Sequence, residues 1–120
     1  NPKVVEHCLK KNYPITPGIM TPSELEIAVG FGLDVVKFFP AENAGGLKMI
    51  KAISAPYTMM KFMPTGGINT TNVRDYLACD KILACGGSWM VKGDLINAGD
   101  FAKIQELTKE AAAIVKEIRG

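Results

Sequence analysis

Hydrophobic positions along this chain follow the period of a strand in some stretches and the period of a helix in others, with short turns between them. Strand-like stretches lie at residues 14–19, 35–40, 60–64 and 82–85. Helical stretches open the chain and follow each strand, at residues 2–9, 22–30, 47–53, 71–77 and 101–118. One helix followed by four strand–helix units predicts an α/β domain with a parallel sheet.

Three of the predicted helices begin at residues typical of helix caps. Asn1 caps the first helix, with Pro2 at its first position. Thr21 and Glu24 have the spacing of a capping box. Asp100 caps the last helix. The apolar stripe of that last helix comprises Phe101, Ile104, Leu107, Ala111, Ile114 and Ile118.

Lys37 interrupts an otherwise apolar strand, Val35-Val36-Lys37-Phe38-Phe39-Pro40. Both faces of this strand are mostly apolar, which is typical of a strand buried in a parallel sheet. Burial disfavours a charged amine, and a neutral amine has the lone pair that attacks a carbonyl group to form a Schiff base. Lys37 is therefore either a covalent nucleophile or a lysine on an edge strand that extends its head to water.

Two pairs of glycines follow the last two predicted strands at equivalent positions, Gly66-Gly67 and Gly86-Gly87. Glycine allows backbone N–H groups to approach an anion, and (β/α)8 barrels often hold a phosphate between their last two strand-end loops. Helix N-termini behind the turns would add partial positive charge. Thr65 and Ser88 supply hydroxyls beside the same turns. The pattern indicates a phosphate site. The alternative is that the glycines only form tight turns between strand and helix.

Composition and charge limit the partners of this chain. With 120 residues, of which 48% are hydrophobic, it is one compact domain or a piece of one. A net charge of +2 and scattered basic residues give no footprint for nucleic acid or an anionic membrane surface. No apolar stretch reaches the roughly 18 residues of a membrane span, and we find no signal-peptide pattern, so we expect a cytoplasmic location.

Metal ligands are not indicated by the cysteine and histidine residues. Cys8, Cys79 and Cys85 are odd in number and lack the spacing of a zinc site, so we expect buried free thiols. His7 has no second candidate ligand nearby and is expected on a helix surface. The sequence therefore predicts no metal site.

Four segments of the chain resemble one enzyme family. PGIMTPSE, VVKFFPAE, KFMPTGGI and ACGGSWMV are similar to the 2-keto-3-deoxy-6-phosphogluconate (KDPG) aldolases, which also act as 4-hydroxy-2-oxoglutarate (KHG) aldolases. The resemblance extends essentially from end to end of the chain. It implies a (β/α)8 TIM barrel that assembles as a homotrimer and a class I aldolase that needs no metal or organic cofactor. The implied substrate is a keto-acid phosphate, cleaved to pyruvate and glyceraldehyde 3-phosphate, or KHG, cleaved to pyruvate and glyoxylate.

The resemblance also implies roles for individual residues. Lys37, in KFFPAE, matches the lysine that forms the imine with the 2-keto group. Thr65 and Phe39 match residues that line the substrate pocket beside the lysine. Glu42 follows the lysine closely and is either a base or a residue that caps or bridges outside the site. Residues that match the family's phosphate-binding turns are Gly66, Gly67, Gly87 and Ser88.

Length is the main departure from the family. Its barrel has eight strand–helix units, whereas residues 1–120 correspond to the last four and one preceding helix, the C-terminal half of a single barrel. The resemblance implies that the other half contains the acid/base glutamate, an arginine that holds the substrate and a threonine near its carboxylate. Four parallel strands cannot close a barrel, so the face bearing Lys37 and Phe39 would be open. We expect a truncated product, a proteolytic remnant or part of a longer chain, with pairing of two halves as the alternative.

Three functions are compatible with these features. The first is a class I aldolase, of which this chain is the half with the nucleophile. The second is another phosphate-binding barrel enzyme, such as an epimerase or a thiamin-phosphate-synthase-like protein, which would not need a buried lysine at this strand. The third is a non-catalytic half-barrel that keeps phosphate affinity but lacks the acid/base partner.

Overall fold

The computed structural model describes all residues, 1–120, and alternates helices with short parallel strands. Its elements are α1 (Pro2–Lys10), β1 (Gly18–Ile19), α2 (Pro22–Gly30), β2 (Val35–Phe38), α3 (Gly46–Ser54), β3 (Lys61–Pro64), α4 (Val73–Leu77), α5 (Gly93–Asn97) and α6 (Phe101–Arg119). The strands form one sheet in the order β1-β2-β3, and both pairings are parallel. This confirms the predicted α/β class. None of the helices is both long and apolar enough to cross a membrane.

The pairing of β2 with β3 sets the two faces of the sheet. Lys37 lies opposite Met63, and Phe38 opposite Pro64. Alternate residues of both strands are buried and half-buried, so one face of the sheet is packed and the other is open. Lys37 is half-buried on the open face, and Phe39 beyond it is 51% exposed. Burial of β2 on both faces is therefore wrong, whereas the open face expected of a half-barrel is confirmed.

The hydrophobic core lies between the packed face of the sheet and the helices. It is one cluster of 17 buried residues, in which Val36 and Phe62 of the sheet join Leu25 of α2, Ile50 of α3 and Tyr76 of α4. Helix α1 contributes no residue to this cluster, since Val5, its one buried residue, lies outside it. The core therefore holds β2 and β3 from a single side.

The first strand is shorter than its hydrophobic pattern predicts. Residues 14–19 were expected to be extended, yet only Gly18 and Ile19 pair with β2. Pro14 and Pro17 have no N–H to donate to a neighbouring strand. The carbonyls of Pro17 and Ile19 accept from the N–H groups of Lys37 and Phe39, at 2.9 and 3.2 Å, and hold this segment beside β2.

The fourth predicted strand, at 82–85, is reduced to two isolated bridges, Phe62 with Ile82 and Thr65 with Gly86. Leu83 donates its N–H to Phe62, but the next bond of a parallel ladder would need an N–H from Pro64, which proline lacks. The carbonyl of Leu83 instead accepts from the guanidinium of Arg119 at 3.0 Å. The ladder resumes where Gly86 donates to Pro64 at 2.9 Å.

Helix starts agree with the predicted caps. The side chains of Asn1 and Asp100 accept from the N–H groups of Lys3 and Lys103, at 3.1 and 3.0 Å. Thr21 and Glu24 form both halves of a capping box. Hydrogen bonds from the N–H groups of Met20 and Thr21 lower the pKa of Glu24. Helix α5 was missed, since its five residues are too few to give a periodic apolar pattern.

The cysteines are free, and they differ in burial. Cys79 is buried, whereas Cys8 and Cys85 are half-buried, so full burial was correctly predicted for Cys79 alone. Burial raises the pKa of the Cys85 thiol to about 11. His7 is exposed on α1, as expected.

Truncation of a core side chain of α2 should destabilise the chain far more than truncation of a solvent-exposed side chain of the same helix. Leu25 is fully buried and Ile27 is 52% exposed. We expect Leu25→Ala to lower the free energy of unfolding by about 2–5 kcal/mol and Ile27→Ala by less than about 1 kcal/mol. Urea denaturation followed by circular dichroism measures both, and equal losses would contradict the described core.

Candidate active site

Strand β2 presents Lys37 on the open face of the sheet. The two-residue period of the strand brings Phe39 to the same face, and the Lys37 Nζ lies 5.0 Å from the centroid of the Phe39 ring. At this distance the ring face attracts the ammonium group. Both salt bridges of the chain lie elsewhere, so no carboxylate of this chain is ion-paired with Lys37. The Lys37 amine is therefore not held by a counter-ion of this chain.

The other predicted site residues line one cavity at the ends of the strands. Its volume is about 420 Å³, and its lining consists of Phe39, Thr65, Gly66, Gly67, Ile68, Gly86, Gly87 and Ser88. Lys37 lies outside this lining, but Phe39 contacts Lys37 and borders the cavity. The structure thus brings the predicted phosphate-binding residues together and places Lys37 beside them.

Several backbone N–H groups at this cavity have no acceptor within the chain. They belong to Gly66, Gly67, Ile68, Gly87 and Ser88. A buried or ligand-facing N–H group requires a partner, and consecutive N–H groups in a turn form a concave site for an anion. The cavity is therefore lined by donors and by no acidic side chain.

The first three of these N–H groups are oriented by hydrogen bonds on the other side of the turn. The carbonyls of Thr65 and Gly66 accept from the N–H groups of Ala41 and Glu42, at 2.8 and 3.1 Å. The carbonyl of Gly67 accepts from the amide of Asn72 at 3.0 Å. In a trans peptide the N–H points opposite to the carbonyl. The N–H groups that follow these carbonyls consequently point away from their anchors.

Both turns need glycine at this cavity. Gly66 and Gly67 have φ values of 101° and 79°, in the left-handed region that favours glycine. A β-carbon on Gly67 would lie 2.6 Å from the Cβ and Cγ of Glu42. A β-carbon on Gly86 would lie 2.5 Å from the Thr65 Oγ1, so the two turns touch through Thr65.

A helix N-terminus behind the first turn was expected and is not found there, because α4 begins only at Val73. Instead, two asparagine side chains lie behind this turn and hold it through hydrogen bonds. Asn69 and Asn72 both donate a side-chain N–H to the carbonyl of Gly67, at 3.2 and 3.0 Å. Neither asparagine was predicted from the sequence, although asparagine side chains near turns commonly form hydrogen bonds with the backbone.

Glu42 contacts the core side of the site. The Tyr76 hydroxyl of α4 donates a hydrogen bond to Glu42 Oε1. Burial, and then the hydrogen bond to Glu42, raise the pKa of Tyr76 well above its usual value. Of the two readings of Glu42 left open by the sequence, a base or a bridge, the geometry favours the bridge.

Comparison with known proteins assigns the family. The sequence model described as KDPG and KHG aldolase matches residues 1–107. The chain belongs to the KDPG and KHG aldolase family. It is 51% identical to a 2-dehydro-3-deoxy-phosphogluconate aldolase of Haemophilus influenzae, over 97% of this chain and 55% of that protein. This family member thus spans about half the length of the curated relatives that it matches.

Solved structures of the family have the same architecture. The KDPG aldolase of Zymomonas mobilis ZM4 with 3-phosphoglycerate superposes with a TM-score of 0.86 at 36% identity, over 95% of this chain and 53% of that one. The KDPG aldolase of Legionella pneumophila, with pyruvate captured as a covalent carbinolamine, gives 0.82 at 41% identity, over 86% and 50%. The predicted fold, part of a (β/α)8 aldolase barrel, is confirmed.

Alanine at Gly67 should destabilise this chain more than alanine at another left-handed glycine. Gly99 has φ 68° and open space around it, so Gly99→Ala introduces backbone strain of about 1–2 kcal/mol alone. Gly67→Ala adds a collision with Glu42, expected to cost about 1–3 kcal/mol more. Urea denaturation of the two variants gives the difference, and equal destabilisation would contradict the described packing.

Proposed function

We propose that this chain supplies the nucleophile and the phosphate site of a class I aldolase. The proposed reaction is cleavage of KDPG to pyruvate and glyceraldehyde 3-phosphate, cleavage of KHG to pyruvate and glyoxylate, or both. The main supporting observation is that Lys37, on the open face of the sheet, lies beside a cavity lined by unbonded backbone N–H groups. A homotrimer, as the family resemblance implies, and a cytoplasmic location, as expected from the sequence, are part of this proposal.

The spacing of the two parts suits an extended keto-acid phosphate. Lys37 pairs with Met63, and Thr65 at the cavity lies two residues further along the neighbouring chain segment. At about 3.3 Å per residue, the two levels are about 7 Å apart. A substrate can therefore bind a phosphate at the turns while its carbonyl carbon lies near Lys37. Thr65 and Phe39 border the space between them.

In the proposed reaction the neutral amine of Lys37 attacks C2 of the keto acid, and loss of water gives a protonated imine. A base removes the C4 hydroxyl proton, and the C3–C4 bond breaks as its electron pair moves into the enamine on Lys37. The aldehyde leaves, and protonation and hydrolysis of the enamine release pyruvate. We assign the base to the part of the barrel that pairs with this chain. The covalent pyruvate adduct in the Legionella relative supports this chemistry.

The phosphate is proposed to bind at the Gly66-Gly67 and Gly87-Ser88 turns. Their unbonded N–H groups are suited to an anion, and the hydroxyl of Ser88 adds one more donor. The phosphorylated acid named with the Zymomonas structure supports an anion-binding function in a relative. A carboxylate, as at the far end of KHG, is also an anion that these donors can bind.

Pyruvate and borohydride should trap an adduct on Lys37. We expect peptide mass spectrometry to find N-carboxyethyl-lysine at position 37 in the unaltered chain and none in Lys37→Ala. Lys61→Ala is the matched control, since Lys61 is also half-buried in the neighbouring strand, where its Nζ donates to the carbonyl of Asp80 at 2.6 Å. That variant should keep the adduct at Lys37.

Two outcomes would contradict the assignment of the nucleophile. An unchanged adduct yield in Lys37→Ala would place the imine on another lysine. The lack of any adduct in a sample that is folded by circular dichroism would leave the non-catalytic half-barrel as the function of this chain.

Binding of 3-phosphoglycerate should be visible at the turns by ¹H–¹⁵N NMR. We expect shifts of the amides of Gly66, Gly67, Gly87 and Ser88, and no comparable shifts with glycerate, which lacks the phosphate. Ser88→Ala should weaken binding by about 10-fold, because one hydrogen bond to a charged group is lost. Lys37→Ala should bind as well as the unaltered chain, and equal shifts with glycerate would contradict a phosphate site.

A further inference from the structure

Glu42 is attached to the Gly66-Gly67 turn in two ways. Its N–H donates to the carbonyl of Gly66 at 3.1 Å. Its side chain lies so close to Gly67 that a β-carbon there would be 2.6 Å from two of its carbon atoms. Any movement of Glu42 therefore moves the turn that contains three of the unbonded N–H groups.

The carboxylate of Glu42 is in turn held by the core. Its Oε1 accepts the hydrogen bond of Tyr76, a residue of α4 that is 2% exposed. The same oxygen lies 3.0 Å from where a β-carbon on Gly46 would be, so the carboxylate packs against the backbone of that glycine. Because the Tyr76 ring is fixed among core side chains, its hydroxyl is a fixed donor.

We propose that Glu42 and Tyr76 form a positioning pair that holds the Gly66-Gly67 turn in its anion-binding shape. The pair touches neither the cavity nor the proposed substrate, and it acts through the backbone of Glu42 and the packing on Gly67. On the other side of the turn, Asn69 and Asn72 fix the carbonyl of Gly67. The turn is thus held from two sides, and α4 supplies one of them through Tyr76. This inference rests on the proposed phosphate site.

Tyr76→Phe tests the pair with the removal of a single hydroxyl oxygen. In the ligand-free chain we expect the amide signals of Gly66 and Gly67 to shift, and those of Gly87 and Ser88 to shift much less. Binding of 3-phosphoglycerate should weaken by about 5- to 10-fold. The yield of the borohydride-trapped pyruvate adduct on Lys37 should stay unchanged, since pyruvate has no phosphate. If Tyr76 had a purely structural role, Tyr76→Phe would lower both the affinity for 3-phosphoglycerate and the yield of the pyruvate adduct.

Tyr57→Phe is the matched control. Tyr57 also donates its hydroxyl to a carboxylate, that of Glu26, but this pair lies on the surface away from the glycine turns. It should leave 3-phosphoglycerate binding and the turn signals unchanged.

Two substitutions of Glu42 separate its hydrogen bond from its charge. Glu42→Gln keeps an oxygen acceptor for Tyr76 and should retain binding within about 2-fold. Glu42→Ala removes that acceptor and should match the loss in Tyr76→Phe. Because Glu42 is exposed, we expect Glu42→Ala to fold. It therefore tests the positioning pair even if Tyr76→Phe does not fold.

The outcomes separate this inference from the proposed function. If the unaltered chain does not bind 3-phosphoglycerate, the phosphate site itself is wrong. If it binds and both Tyr76→Phe and Glu42→Ala bind equally well with unshifted turn signals, only the positioning pair is overturned. Loss of binding in Glu42→Gln equal to that in Glu42→Ala would likewise overturn the role of the Tyr76 hydrogen bond.

Discussion

The parallel pairing of β2 with β3 is the constraint on which the candidate site depends. Its register places Lys37 opposite Met63, and the hydrogen bonds continue past the strands to join Ala41 with Thr65 and Glu42 with Gly66. A slip of one residue would turn every side chain to the other face and bring Lys37 into the core. The packed face prevents that slip, because Val36, Phe38 and Phe62 fit nowhere else.

Local patterns in the sequence were sufficient for the helices and for β2 and β3. The caps at Asn1, Thr21 and Asp100 depend on neighbours within three residues, so their signals are complete in the sequence. The prediction of a fourth strand was wrong because the missing hydrogen-bond donor belongs to Pro64, on a different strand. A hydrophobic pattern describes one segment and contains no information about its partner's hydrogen bonds.

The candidate site, like the fold, was predictable where its signals are local in the sequence. The glycine pairs and the lysine in an apolar strand are visible in the sequence, and one cavity gathers the residues of the turns. Tyr76 was not predictable, because it meets Glu42 across 34 positions of the chain. Burial of Lys37 was overestimated because alternation shows which residues share a face, not whether another element covers that face.

Whether another part of the protein covers the open face also determines the strength of charge interactions in the site. Water reaches the face around Phe39, which is 51% exposed, and water weakens every charge interaction near Lys37. Hydrogen bonds from the unbonded N–H groups act more strongly where water is excluded. The residues of this chain therefore define the geometry of the site, whereas its dielectric depends on what covers the sheet.

Arg119 has a consequence for the behaviour of the chain in solution. Its guanidinium donates to the carbonyls of Leu77, Ile82 and Leu83 at 2.7–3.0 Å, and so ties the segment after α4 to the end of α6. Of these three carbonyls, that of Ile82 lies on the side of the segment facing away from β3. A strand from another molecule could not pair with this carbonyl while Arg119 holds it. Copies of this chain therefore cannot extend the sheet at this margin without displacing Arg119, whereas the open face that bears Phe39 stays uncovered.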